Sequence, residues 1–171
     1  MPRKAKSVTD DGVIAVPQPD DISEVEREDA MGAYLMMFAS WGIGLPLPFV
    51  GLIAAFIYHM INRKKSPFVG FHSLQSLLME TPVSIANAGI VVWAVLIFTP
   101  YASLNAWFWA AVAVVSVWNI IYIIVSIIAC VYARKGRFYY VMFFGRHAFR
   151  RYYLTPRRNA VSDRNEPPKG L

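Results

Sequence analysis

The chain has 171 residues, 56% of them hydrophobic and 15% aromatic, but only 16% charged. Of its 28 charged residues, 12 lie in positions 1 to 30 and 12 in 134 to 171, so the 103 residues between carry only Arg63, Lys64, Lys65 and Glu80. A middle this apolar exceeds what a water-soluble fold of this size can hide. The single cysteine, Cys130, excludes an intramolecular disulfide and a zinc site built from several thiolates. The predicted class is an all-α integral membrane protein, a small bundle of three transmembrane segments between two polar tails.

Residues 1 to 30 hold eight acids against four bases, interrupted by Pro17 and Pro19, and have too little apolar surface to fold alone. Asp21 and Ser23, followed three residues later by Glu24 and Glu26, are N-cap signatures for a short acidic helix near 21–30. Asp10 and Asp11 follow the basic start where a secretory signal would turn apolar, so no cleavable signal is expected.

The membrane domain covers 31–133. Its first segment, about 33–61, is interrupted at Gly42 to Pro48 by two glycines and two prolines, which remove donors and loosen a helix. Each half is about 20 Å long at 1.5 Å per residue, short of a hydrocarbon core of about 30 Å. The segment is read as one broken span, with a re-entrant hairpin as the alternative. Spans at about 71–99 and 103–132 follow, joined by an uncharged turn bearing Tyr101, Trp107 and Trp109, the aromatic composition of a membrane interface. Basic residues at 63–65 and 134–137 place the loop 62–70 and the C-terminus in the cytoplasm, in a multi-pass protein of a bacterial inner membrane.

Residues 137–154 read as an amphipathic interfacial helix, with Arg146, Arg150 and Arg151 on anionic headgroups and Val141, Met142, Phe149 and Tyr152 turned to the acyl side. The aromatics fit a membrane better than nucleic acid, which is not an expected partner. Residues 155–171, with three prolines, read as a disordered basic tail.

Two polar stripes cross the membrane domain. On a helical wheel His72, Ser76, Glu80, Ser84 and Asn87 share one face of span two, and Ser116, Asn119, Ser126 and Cys130 share one face of span three. With the turn centred near 101 or 102, equal depth pairs Asn87 with Ser116, Ser84 with Asn119, Glu80 with Tyr122 or Ser126, and Ser76 with Ser126 or Cys130. Glu80 stands out, because an acid at the centre of a span costs about 2.5 to 3.5 kcal/mol on insertion scales and needs a partner or a proton. It reads as a structural hydrogen-bonded group, with a proton or cation site, relayed by His72, as the alternative. His59 and His147 fall near the expected interfaces and read as amphipathic anchors. No nucleophile, base and orienter converge, and no metal motif or phosphate loop occurs, so neither catalysis nor a cofactor is expected.

Ser66-Pro67-Phe68-Val69, then Phe71, His72 and Gln75, form a helix-opening motif: Ser66 caps, Pro67 fits the first turn, the phenylalanines anchor, and His72 and Gln75 share a face. Together with the broken first segment and Ala133-Arg-Lys-Gly136, this motif resembles the small bacterial Tic-twenty-like membrane family, related to a subunit of a chloroplast import translocon. The resemblance covers roughly 31–145 and implies architecture more than chemistry. The functional expectation is a non-enzymatic scaffold or accessory subunit of a membrane complex, with protein partners or copies of itself. The alternative is a component of a transport or translocation path lined by the two stripes.

Overall fold

The computed structural model describes residues 16–38 and 49–154. The break at Gly42 to Pro48, the start of the N-terminal tail and the tail 155–171 lie outside the described residues.

Helix α1 (Glu24–Leu35) starts with a reciprocal cap: Ser23 Oγ accepts from the Glu26 amide at 3.3 Å and the Glu26 carboxylate accepts from the Ser23 amide at 3.0 Å. Of the two cap signatures in the sequence, only Ser23 starts this helix. Asp21 instead accepts from the Gln18 amide at 3.1 Å and closes a preceding 3-10 turn, Pro19–Asp21. A second 3-10 turn, Met36–Phe38, follows α1, and α2 runs over Val50–Asn62.

Helix α3 (Pro67–Leu96) opens as the motif requires, Ser66 Oγ accepting from the Val69 amide at 3.2 Å with proline at the first position, four residues before the expected start. Helix α4 (Ala106–Arg134) is capped by Asn105, whose Oδ1 accepts from the Phe108 amide at 3.0 Å. It ends at Gly136, whose φ of 69° admits the left-handed turn that bonds the Arg137 amide to the Tyr132 carbonyl at 2.9 Å.

At 30 and 29 residues, α3 and α4 are long and apolar enough to cross a membrane, whereas α2 has 13. Only 22% and 17% of their most apolar stretches are buried within the protein, the reverse of a soluble core helix. The described residues therefore contain two helices of spanning length, not the three expected.

The reason is the packing of the first segment. Tyr58 Oη of α2 donates to the Asp29 carbonyl of α1 at 2.8 Å, Gly32 faces the Tyr58 ring, and at the other end the Met37 carbonyl adjoins Gly51. The two halves are thus antiparallel. Asp29 pairs with Lys65 at 2.8 Å, and Glu24 and Glu28 pair with Arg134 at 2.8 and 3.5 Å, so α1 starts at the same end of the bundle as the 63–65 loop and the end of α4. The broken-span reading is corrected to a hairpin of two short helices. Apolar packing drives it: Ala30, Ala33, Tyr34 and Met37 are buried, and Ala129 and Ala133 of α4, both 0% exposed, let α1 approach closely.

The C-terminal segment also departs from expectation. Residues 137–141 are not helical, α5 covers only Met142–Phe149, and a π-helical turn follows at Arg150–Leu154. Phe138, Tyr140, Phe149 and Tyr153 form edge and stacked ring contacts with one another and with Phe68 and Phe71 of α3. Most of these rings cover the start of α3 instead of lying in lipid.

Candidate functional site

The buried polar groups concentrate where α1, α3 and α4 meet. Tyr34, 2% exposed, is the centre of one cluster. Gln75 Nε2 donates to Tyr34 Oη at 2.8 Å, and Tyr34 Oη shares a hydrogen bond of 3.0 Å with His72 Nδ1 whose direction is set by the imidazole tautomer. Among the described residues His72 Nε2 is buried and makes no hydrogen bond. Gln75 also donates to the Tyr139 carbonyl at 2.9 Å and accepts from the Val141 amide at 3.4 Å. One glutamine side chain therefore joins α1, α3 and the C-terminal segment. One turn beyond His72, Ser76 Oγ donates to the Ala33 carbonyl at 2.7 Å.

Glu80 is 7% exposed and centres the second cluster. Tyr122 Oη of α4 donates to its Oε2, and Ser84 Oγ donates to Oε1 at 3.2 Å. Gly51 of α2 is pressed against this carboxyl group, where a Cβ would stand 2.5 Å from Oε1. Further along the same two helices, Asn87 and Asn119 exchange amide hydrogen bonds at 3.0 and 2.8 Å.

The stripes thus meet, but not at the pairings equal depth suggested. Glu80 with Tyr122 is as expected. Asn87 pairs with Asn119 and not Ser116, which is exposed; Ser84 turns back to Glu80, and Ser76 bonds α1. Cys130 points its thiol to the Met31 carbonyl of α1 at 3.9 Å, and Ser126 is buried one turn from Tyr122. For Ser76 and Cys130 the cause is α1, which takes both of them through its Ala33 and Met31 carbonyls.

Every residue of the helix-opening motif, Ser66, Phe68, Phe71, His72 and Gln75, is buried except Pro67, which is half-buried. The phenylalanines pack against protein, not lipid. Sequence reasoning missed Tyr34 and Ser73, and placed His59 at an interface. His59 is 7% exposed, with Nδ1 2.9 Å from Ser73 Oγ. The available signal was spacing: Asn62, His59 and Ala55 share a face, and Ser73 lies one turn from Ser76. Arg146, Arg150 and Arg151 are exposed. Among the described residues no three His, Cys, Asp or Glu side chains gather as metal ligands.

Comparison with curated proteins gives no match, and comparison with solved structures gives none. The Tic-twenty-like resemblance is overturned by a family match of a different kind. The motif that carried the resemblance acts here as a cap and a packing surface, a physical task that unrelated helix starts share. Residues 27–147, which take in α1 to the middle of α5, match the sequence model of the magnetosome magnetite crystal formation protein family, MamF/MmsF, and the chain belongs to that family.

Proposed function

We propose that the chain is a non-enzymatic membrane component that takes part in magnetite crystal formation as a scaffold or accessory subunit of a larger membrane complex. The membrane part rests on the family and on two long helices whose apolar faces are open. The basic end, with the 63–65 loop and Arg134 to Arg137, is the cytoplasmic end of a bacterial inner membrane or a membrane derived from it, and the ion pairs of α1 keep Glu24 on that side.

The observation that favours a scaffold over a transport path is the state of Glu80. Both its oxygens are engaged, by Tyr122 and Ser84, and Gly51 closes the third side. A conduction path needs water and exchangeable partners at its ionisable group, whereas a scaffold needs dry, fixed contacts. The partners are other proteins of the complex or further copies of this chain.

Replacement of the chain by Glu80→Gln in magnetite-forming cells separates the readings. Glutamine still accepts from Tyr122 through its carbonyl and can donate to Ser84, so a scaffold keeps its crosslinked partners and its crystal-size distribution at normal chain abundance. Altered crystals at normal abundance with unchanged partners would reject the scaffold and favour a role for the carboxyl charge.

A further inference from the structure

The C-terminal segment is built as an inclined wedge. Tyr139 and Val141 bond Gln75, and Gly145 lies against the same glutamine, but Tyr152 lies against Gly70, five residues nearer the start of α3. Five residues of α3 are about 7.5 Å at 1.5 Å per residue. From Met142 onward the chain therefore climbs back toward the basic end after Arg137 to Val141 has carried it inward. Met142, with φ of 25°, makes the reversal.

The outward face of the wedge changes character along this climb. At its inner end Met142 and Phe143 are 75% and 77% exposed, although the neighbouring rings are packed on α3. Arg146, Arg150 and Arg151 follow on the same outward face toward the basic end, all exposed. A solvated tail has no reason to hold two large apolar side chains outward at one end and arginines at the other. The polar layer of one bilayer leaflet is about 5 to 8 Å thick, taking half the difference between total and hydrocarbon thickness, and the climb matches it.

We infer that this face is a docking surface for anionic lipid headgroups, in which Met142 and Phe143 enter the acyl layer and Arg146, Arg150 and Arg151 meet the phosphates above them. The inference rests on the membrane placement of α3 and α4 proposed above and adds a leaflet and a lipid charge to it. It replaces a helix lying flat in the interface with one that crosses the headgroup layer at an angle.

The test uses the full chain with Cys130→Ser, carrying one spin label at a time after Met142→Cys, Leu154→Cys or Val92→Cys, in bilayers of phosphatidylcholine alone or mixed with phosphatidylglycerol. Collision with oxygen and with a water-soluble nickel chelate reads the depth of each label. The label at 142 is expected below the phosphates and the label at 154 near them, with phosphatidylglycerol deepening the first. Combined Arg146→Glu, Arg150→Glu and Arg151→Glu is expected to move the 142 label outward by about one helical turn, ~5 Å. Equal nickel exposure at 142 and 154, or a 142 depth indifferent to both lipid charge and charge reversal, would overturn the inference. The label at Val92, 57% exposed within α3, tests the underlying placement separately, since a nickel-exposed label there removes the membrane reading itself.

Discussion

The two ends of the long helices are built differently. Between Phe68 and Ser84, α3 buries twelve residues against α1, α2, α4 and the C-terminal segment, and five of them are bonded through side chains to other elements. Beyond Ser84 no residue of α3 is buried, and the side-chain hydrogen bonding between α3 and α4 is the Asn87–Asn119 exchange. The basic end holds itself together through protein contacts, and the far end leaves Val91, Val92, Val95, Val114 and Val117 outward for lipid or a partner. Buried polar contacts and open apolar surface are thus concentrated at opposite ends of the same helices.

Substitutions should break this contrast unequally. The largest effect is expected from Tyr34→Ala, which opens a cavity and strips Gln75 and His72 of a shared partner; aromatic truncations of this kind cost about 3 to 5 kcal/mol. Unfolding in mixed detergent micelles should show it, together with increased proteolysis of the C-terminal segment, because Gln75 links the two. Gly51→Ala should come next. A Cβ there meets Glu80 Oε1, and overpacking costs about 1 to 3 kcal/mol, so a partial rescue by Glu80→Ala in the same chain is the expected signature. Asn119→Ala at the far end should cost only about 0.6 kcal/mol, the mean for interhelical hydrogen bonds in a membrane. A loss as large as that of Tyr34→Ala would erase the contrast between the ends.

The smallest effect is electrostatic. The hydrogen bond and charge of Arg134 hold the exposed Glu24 carboxyl below its ordinary value of 4.5. A lowered folded value stabilises α1 above about pH 4.5, and that contribution fades as pH falls through the folded value. Hydrogen exchange should therefore show the first turn of α1 fraying in acid, with the Glu24 part of the effect removed by Arg134→Gln and weakened by salt and the part from the Glu26 cap remaining.

Much of this plan is legible in the sequence. Charge segregation gives the membrane domain, Ser66-Pro67 gives the cap that opens α3 although the span itself reads as starting at about 71, and helical spacing puts Glu80 opposite Tyr122 or Ser126, of which the fold selects Tyr122. The rest depends on which apolar element fills the gap between two others. Nothing in a wheel of α3 and α4 shows that α1 will displace Ser126 and Cys130, its Ala33 carbonyl taking Ser76 while its Tyr34, sitting in an apolar run, takes Gln75. The acidic helix 21–30 and the apolar run after it also read as separate units, although they are one helix whose acids pair with Lys65 and Arg134. The C-terminal aromatics matched a lipid-facing helix by composition, and only the fold shows that α3 already offers them Phe68 and Phe71.

The central claim is that α1 and α2 double back, so that both sit at the basic end. Single cysteines at Val25, Lys64, Tyr101 and Lys135, each in a Cys130→Ser chain, can be probed in sealed membranes of known sidedness with a maleimide that does not cross the bilayer. The hairpin expects Val25, Lys64 and Lys135 to label from one side and Tyr101 from the other. Labelling of Val25 together with Tyr101 would contradict it and restore a first segment that crosses the membrane.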